Sequence, residues 1–476
     1  MSEVTPPGQA TPEDLITCIW CGATDQTIGI ACVHCGQRVV HVPAWARAYP
    51  SAYKRLVTKR RVLGLVAVMA VLGFIFWLNF PFLPDPAIIL FKRPTTDLSS
   101  DTLPRSWTMD GGNLAQTRAL ERPNRQPIGQ GAWSSELGAP TRSPAIVADN
   151  VIYIGGQFKI MALAADTGHL LWELEATGPV HSSLAVADNT LYYAMLDHRL
   201  IALNLKDREP LWEFKARDSI NASPVVNNGM VYIGSADGNL YALDAANGKL
   251  IWEFQAGEPI NQQPAIRDGI LFITDSPGNL YILNARTGQE RLRFRTPGPI
   301  NASPVVANDM VYFPSGGTLF TVDSGSKEIP GQFQFKRVWA QLWLWQVPGV
   351  PHPPGQQGGK WRFSSGASRL GVNTSPAIAV DTLYFGNLDG TVRALDPLKG
   401  KELWNFDADA GIAASPVVVG DRLYVGSRAG TIYALERHTG EVLWQLSFGA
   451  GIQVPVTFSG GVLYVRTVDG LLHAVE

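Results

Sequence analysis

The chain has 476 residues, which is enough for two or more folding units. Hydrophobic residues make up 46% and aromatic residues 10%, so the composition excludes a disordered chain. The formal net charge is −2, from 39 basic and 41 acidic side chains, and gives no global attraction to nucleic acid. All four cysteines lie in the first 35 residues, so the rest of the chain depends on packing and backbone hydrogen bonds rather than disulfides.

Two Cys-x-x-Cys-Gly motifs lie near the N-terminus, at Cys18 and Cys21 and at Cys32 and Cys35. Each places two thiolates on one tight turn, and two such turns supply the four sulfur ligands of a tetrahedral structural Zn²⁺ site. We therefore predict that residues 1–41 resemble a zinc ribbon, whose fold the metal stabilises and in which no catalysis occurs. The alternative is two disulfides or a redox pair, which a reducing cytoplasm disfavours.

A basic linker, 42–61, precedes an uncharged and mainly apolar stretch, 62–80. As a helix this stretch would be about 28 Å long, close to the hydrocarbon thickness of a bilayer. We predict a transmembrane helix, because a signal peptide does not fit behind the cysteine motifs and a core helix would have a polar face. The preceding basic cluster places the N-terminus in the cytoplasm and an extracytoplasmic linker, 81–130, beyond the plasma (inner) membrane.

From residue 131 onward the chain repeats at intervals of about 40 residues. Residues 221–254 contain one complete unit, with four short strands (SPVV, MVYIGS, LYALDA and LIWEF) separated by glycine-containing turns. Eight such units predict an all-β fold, an eight-bladed β-propeller over 131–476. The first unit has only its last strand and the final unit lacks one, so we expect the N-terminal strand to close the last blade. A solenoid is the alternative, but it would need capping units at both ends.

A tryptophan recurs in the last strand of seven units, and Leu292 takes its place in the other. The seven are Trp133, Trp172, Trp212, Trp252, Trp361, Trp404 and Trp444. Together with the motif SPVV…VYIGS…GNLYALDAANGKLIWEF, they resemble the repeats of the PQQ-like β-propeller family. The segment that begins at Trp107 and ends with Thr117-Arg118 resembles the lead-in to that family's first blade. The resemblance implies that each Trp packs between neighbouring blades and donates a hydrogen bond from its indole N–H.

The family contains two branches with different activities. Quinoprotein dehydrogenases of alcohols or sugars hold pyrroloquinoline quinone (PQQ) and Ca²⁺, and that branch implies an adjacent cysteine pair, whereas no cysteine follows Cys35 here. The cofactor-free outer-membrane-assembly branch acts through protein contacts, so we expect a non-enzymatic scaffold or sensor for envelope proteins or peptides, without PQQ or Ca²⁺. A carbohydrate- or cell-wall-binding module is a third alternative. In this arrangement the bilayer holds 62–80, and the zinc ribbon is available to a cytoplasmic partner.

Polar residues recur three positions before the first-strand proline of most units. We predict that they lie at one mouth of the central channel, as candidates for binding a polar ligand or peptide. They are His181, Asn221, Asn261, Asn301 and Asn373. The alternative is that each Asn bonds to its own backbone where the strand begins.

One long insertion, 325–360, interrupts the repeat. A segment of this length in a compact repeat is usually functional, and its aromatic residues are typical of a protein interface or of the bilayer surface. The candidate interface residues are Phe333, Phe335, Trp339, Trp343 and Trp345. The alternative is that these rings cover the side of the propeller.

Overall fold

The computed structural model divides the chain into two compact units, Met1–Pro81 and Phe82–Glu476. The residues that it describes are 15–16, 18, 21, 23–24, 26–27, 30–36, 38–39, 50–79, 88, 90–100, 107–138, 142–329, 332–366, 372 and 374–476. Helix side chains are described at 59–73, 332 and 335–344. Two predicted site residues, Asn373 and the side chain of Phe333, therefore lie outside the described part of the chain.

The N-terminal unit contains a short antiparallel hairpin and one long helix. The hairpin pairs β1 (Leu15–Ile16) with β2 (Gln26–Thr27), in the part of the chain that carries the cysteine motifs. The helix is α1 (Pro50–Asn79), which contains most of the predicted basic linker and of the apolar stretch.

The predicted membrane span is not supported. No helix within the described residues combines the length and the apolar character that a crossing requires. A span needs about 20 consecutive, mostly apolar residues in one helix, and none of the helices that the structure describes meets this requirement. The predictions of a transmembrane helix at 62–80, of single-pass anchoring in the inner membrane and of a cytoplasmic N-terminus are therefore corrected. The prediction that 62–80 contacts the lipid bilayer is corrected for the same reason.

The second unit confirms the predicted eight-bladed β-propeller, with eight sheets that each contain four antiparallel strands, one of them extended by a fifth, parallel strand. Its first strands are β3 (Ala119–Leu120), β4 (Gly131–Glu136), β5 (Ile146–Ala148), β6 (Val151–Gly155), β7 (Lys159–Ala164), β8 (Leu170–Glu175), β9 (Ala185–Ala187), β10 (Thr190–Ala194), β11 (Arg199–Asn204), β12 (Pro210–Lys215), β13 (Val225–Asn227), β14 (Met230–Gly234), β15 (Asn239–Asp244), β16 (Leu250–Gln255), β17 (Ala265–Arg267), β18 (Ile270–Thr274), β19 (Asn279–Asn284) and β20 (Glu290–Arg295). The later strands are β21 (Val305–Ala307), β22 (Met310–Ser315), β23 (Thr318–Asp323), β24 (Gly359–Ser364), β25 (Ala377–Ile378), β26 (Leu383–Gly386), β27 (Thr391–Leu395), β28 (Glu402–Asp407), β29 (Val417–Val419), β30 (Arg422–Gly426), β31 (Thr431–Glu436), β32 (Val442–Ser447), β33 (Thr457–Ser459), β34 (Val462–Arg466) and β35 (Leu471–Val475).

Each blade is one sheet of four strands that follow one another along the chain. Blade 1 is β5–β8, and blades 2 to 7 take the next four strands in turn, as far as β32. Strand β3 adds a fifth, parallel strand to blade 7. Helix α2 (Gln332–Leu344) lies in the insertion between the third and fourth strands of blade 5.

The ring closes between the two ends of the repeat region. Blade 8 consists of β33, β34, β35 and the early strand β4, which pairs antiparallel with β35 from Leu471↔Glu136 to Val475↔Gly131. Strand β33 of blade 8 also contacts β5 of blade 1. The predicted closure by the N-terminal strand is therefore confirmed, and the solenoid alternative is excluded because its end units would remain apart.

The hydrophobic core is divided into eight layers, one at each junction between neighbouring blades. Both faces of a blade are covered, so inner strands are apolar throughout, and all five residues of β14 are buried. The outermost strand has an exposed edge, and its residues alternate in burial, as in β8. This division explains why each unit carries the same strand pattern: every blade makes the same two packing contacts.

The lead-in segment, defined here as Ser100 together with 107–118, crosses the free edges of the innermost strands. Its backbone hydrogen-bonds to the backbone of seven of the eight innermost strands. The pairs are Trp107–Val147, Thr108–Val186, Ser100–Val226, Leu114–Ile266, Ala115–Val306, Thr117–Ile378 and Arg118–Val418. These bonds satisfy backbone groups that would otherwise face the channel unpaired. The described residues of the predicted linker therefore pack as part of the propeller.

Candidate functional site

The four cysteine sulfur atoms of the N-terminal unit lie within 4.8 Å of one another, and all four thiols are free. Cys18 Sγ lies 3.7 Å from Cys35 Sγ, and Cys21 Sγ lies 3.6 Å from Cys32 Sγ. A tetrahedron with Zn–S bonds of about 2.3 Å has edges of about 3.8 Å, so these separations fit a four-sulfur metal site. Burial opposes ionisation of Cys32, but backbone N–H groups and neighbouring thiols outweigh it and lower the pKa of Cys32 to about 6. At Cys21 the backbone of Ala23 favours ionisation, but burial and the other three thiols outweigh it and raise the pKa of Cys21 to about 12. The cluster therefore favours a thiolate, the metal-binding form, at Cys32 first.

The recurring tryptophans lie at the junctions between blades. In blade 2, Trp212 donates its indole N–H to the carbonyl oxygen of Ala245 in blade 3, at 2.9 Å. The hydroxyl of Tyr192 donates to the same oxygen at 3.1 Å, and the two rings are 5.8 Å apart. The same convergence of Tyr and Trp on one carbonyl recurs at Tyr232/Trp252/Ala285, Tyr312/Trp361/Pro397 and Tyr384/Trp404/Arg437. Trp444 in blade 7 donates instead to Pro127, ahead of β4, at 3.2 Å.

The structure describes four of the five predicted channel-mouth residues. The Asn221 side-chain N–H₂ donates to the side-chain oxygen of Asn261 in the next blade, at 3.2 Å, and Asn261 donates to Ser276 Oγ at 3.2 Å. These bonds link side chains between or within blades rather than returning to each residue's own backbone. Asn301 is exposed, and His181 is partly buried beside a recess that is described below.

The insertion contains the helix α2, which the sequence pattern did not predict. Lys336 forms a 2.7 Å ion pair with Glu328, and both side chains are largely buried. Gln356 holds the end of the insertion to β20 through two hydrogen bonds with the backbone of Arg295, at 2.6 and 2.8 Å. The ion pair joins α2 to the start of the insertion, and the Gln356 bonds attach the insertion to blade 4.

The predicted aromatic residues of the insertion divide into two groups. Trp339 donates its indole N–H to the carbonyl oxygen of Pro351 at 2.8 Å, and the ring of Trp343 packs against His352 at 4.7 Å. Both therefore hold the insertion together. Phe335 is 64% exposed and Trp345 is 68% exposed.

A third apolar residue shares this exposed surface. Val338 is 59% exposed and lies one helical turn from Phe335, so the two occupy the same side of α2. We call Phe335 and Val338, together with Trp345 directly after the helix, the α2 apolar face. Val338 was not predicted from the sequence, because its spacing of three residues from Phe335 is informative only in a helix.

The closed ring of eight four-stranded sheets, with its junction tryptophans, defines a PQQ-like β-propeller protein. A family model described as outer membrane protein assembly factor BamB matches residues 118–260, 236–405 and 388–476. The chain belongs to this family. A search of curated proteins found no match.

Solved structures share the fold. BamB from Moraxella catarrhalis superimposes with a TM-score of 0.57 and 16% identity, over 73% of this chain and 97% of that protein. The designed protein Ika8 gives 0.59 and 18% identity, over 73% and 99%. Quinohemoprotein alcohol dehydrogenase from Comamonas testosteroni gives 0.63 and 14% identity, over 82% and 81%. At these identities the similarity establishes the propeller architecture alone.

Proposed function

We propose that this protein is a non-enzymatic, protein-binding scaffold in cell-envelope protein assembly. The observation that carries the proposal is the α2 apolar face, presented by a rigid propeller that belongs to the BamB family. Membership of this family supports protein partners in envelope assembly, although it names no particular partner. A propeller without further chemistry offers a broad surface for peptide strands or loops.

We propose that the α2 apolar face is the principal contact surface. Phe335, Val338 and Trp345 leave large apolar side chains in water, which lowers stability unless a partner covers them. Aromatic residues of this kind supply most of the binding energy in protein interfaces. The Glu328–Lys336 ion pair and the Gln356 contacts hold the helix in place before binding, which reduces the entropy that ordering would cost.

The test is photo-crosslinking in intact cells with a photoreactive residue at position 338. We expect covalent adducts with defined envelope proteins, identified by mass spectrometry. Replacing Phe335 and Trp345 by serine should reduce the yield of these adducts at least tenfold. A matched control replaces Leu403, which is 53% exposed on the outer strand β28, by serine and should leave the yield unchanged.

Two results would contradict this proposal. One is a yield of adducts that stays the same in the variant with Phe335 and Trp345 replaced, as it does in the Leu403 control. The other is dye-linked oxidation of alcohols or sugars by the purified protein after addition of PQQ and Ca²⁺, which would favour the dehydrogenase branch.

We also propose that Cys18, Cys21, Cys32 and Cys35 bind one structural Zn²⁺, in the manner of a zinc ribbon. The sulfur separations support a tetrahedral site, and so short a segment has little apolar core of its own. Metal analysis of the purified protein should find one zinc ion per chain. The variant Cys32→Ser should lose it, whereas His34→Ala should keep it because His34 is not one of the four clustered ligands. A full chain without zinc would contradict the proposal.

A further inference from the structure

One position in the second strand of each blade is occupied by a small residue in every blade but one. The position lies two residues after the strand's aromatic residue and carries Gly155, Ala194, Gly234, Thr274, Pro314, Gly386, Gly426 and Arg466 in blades 1 to 8. In blade 3 the next blade fills this space, because a Cβ at Gly234 would lie 2.4 Å from a methyl group of Ile260. Blade 8 therefore has a long cationic side chain where the other blades carry shorter, uncharged residues.

Arg466 is buried but incompletely paired. The whole residue is 3% exposed, and its Nη1 donates to the carbonyl oxygen of Ser143 in blade 1 at 2.7 Å. Its Nε and Nη2 have no hydrogen-bond partner among the described residues. No described carboxylate forms an ion pair with it either. A buried guanidinium with unused donors is unstable unless an acceptor or water reaches it.

The side chain of Arg466 lines a recess of about 390 Å³ at the junction of blades 8, 1 and 2. Arg142 and His181 line the same recess, and the amides of Gln157 and Gln453 add neutral polar groups. None of the residues that line it is acidic. In the described part of the chain, Arg142 also lacks a carboxylate partner, so the positive charge of the recess is uncompensated.

The pKa of His181 reflects the positive charge of the recess. Burial lowers the pKa of His181, and the positive charges of Arg142 and Arg466 lower it further. His181 is therefore neutral near pH 7, when it can offer either a donor or an acceptor. Arg466 remains protonated at that pH, since burial lowers its pKa only to about 10.

We propose that this recess, defined by Arg142, His181 and Arg466, binds the carboxylate group of a small acid or of a peptide. A carboxylate matches the planar donor fork of a guanidinium and would supply the acceptor that Arg466 lacks. The volume accommodates one or two amino-acid residues and lies in the range of small-ligand sites. The described residues of the lead-in segment hydrogen-bond to strand residues that are not among those lining the recess. The inference is independent of the α2 apolar face.

The test is titration calorimetry on the full chain with three probes of different chemistry. The probes are succinate, the peptide acetyl-Ala-Phe with a free C-terminal carboxylate, and the same peptide with a C-terminal amide. We expect the amide to bind at least tenfold more weakly than the free acid. Binding of succinate but not of the peptide acid would assign the site to small acids, and the reverse would assign it to peptide C-termini.

Variants connect the binding to the recess. Arg466→Gln and Arg142→Gln should each weaken binding of the preferred acid at least tenfold, and Lys249→Gln, on an exposed turn, should not. Arg142 is exposed, so its variant tests the site even if Arg466→Gln fails to fold. Equal affinity for the acid and the amide, no binding of either acid, or unchanged affinity in Arg142→Gln would overturn the proposal. Tighter binding of inorganic phosphate than of either acid would also overturn it.

Discussion

Trp212 in blade 2 donates its indole N–H to the carbonyl oxygen of Ala245 in blade 3, across 2.9 Å. The same oxygen accepts the hydroxyl of Tyr192, so both of its lone-pair directions are occupied by donors from the neighbouring blade. Such a carbonyl lies in the turn that precedes the outermost strand. Each junction that has this arrangement therefore connects the outer edges of two blades, whereas their inner strands are connected by the lead-in segment.

We predict that Trp212→Phe destabilises the propeller by about 1–2 kcal/mol. The variant removes one hydrogen bond and part of a buried ring, while Tyr192 still donates to Ala245. Urea unfolding followed by circular dichroism measures the change. As a control, Trp345→Phe, at a side chain that is 68% exposed, should change the stability by less than about 0.5 kcal/mol. Equal losses in the two variants would contradict the structural role of the junction.

We predict that Gly248→Ala is more destabilising than Gly257→Ala. Both glycines have positive φ, +69° and +85°, so alanine costs about 1–2 kcal/mol at either position. At Gly248, however, the new Cβ would lie 2.6 Å from the ring of Trp212, whereas at Gly257 nothing lies within 4 Å. The extra steric cost should add about 1–3 kcal/mol, measured as the difference between the two unfolding free energies. Similar values for both variants would show that Trp212 can move aside.

We predict that Arg118→Met destabilises the propeller by about 3 kcal/mol. In the lead-in segment Arg118 forms a bidentate ion pair with Asp110, at 2.8 and 2.9 Å, and its side chain is 2% exposed. Removing one partner leaves a poorly solvated carboxylate without its counter-charge. The double variant Asp110→Asn with Arg118→Met should recover part of the loss, and thermal unfolding of the three proteins provides the double-mutant comparison. No recovery would mean that Arg118 acts mainly through packing.

We predict that stability falls as the pH decreases through the ordinary titration range of histidine, in part because of His473. Burial lowers the pKa of His473, and Asp469 opposes this only in part. The ring stacks on Phe448 at 4.3 Å and hydrogen-bonds to Ser134 Oγ of β4 at 2.7 Å, so it lies where the ring of blades closes. Below the unfolded-state pKa the unfolded chain binds a proton that the folded chain excludes, which favours unfolding.

The measurement is the unfolding free energy between pH 5 and pH 8 for the native chain and for His473→Gln. The variant should show a weaker decrease on acidification, while the contribution of His181 remains. Gln445→Ala, at an exposed and non-titratable position on the outer strand β32, is the control and should leave the pH dependence unchanged. An identical pH profile in His473→Gln would contradict the assignment.

The repeating part of the chain was predictable because each blade is specified locally. Glycine-containing turns at fixed intervals, alternating apolar strands and a recurring Trp define one blade, and their period of about 40 residues gives the number of blades. The closing strand, β4, was recognisable from its Trp133 and from the missing last strand of the final unit. The hydropathy of 62–80 instead suggested a membrane span, and this was wrong because apolar composition alone does not establish a crossing helix.

The amino-acid sequence by itself determined the propeller, its eight blades, the strand that closes it and the four cysteines that could hold a metal. Only the tertiary structure placed the lead-in segment across seven innermost strands, formed a helix in the insertion and brought Arg142, His181 and Arg466 to one recess. The physical reason is that periodicity encodes contacts that every repeat shares. A contact made once, between residues more than 300 positions apart such as Ser143 and Arg466, leaves no repeating pattern in the chain.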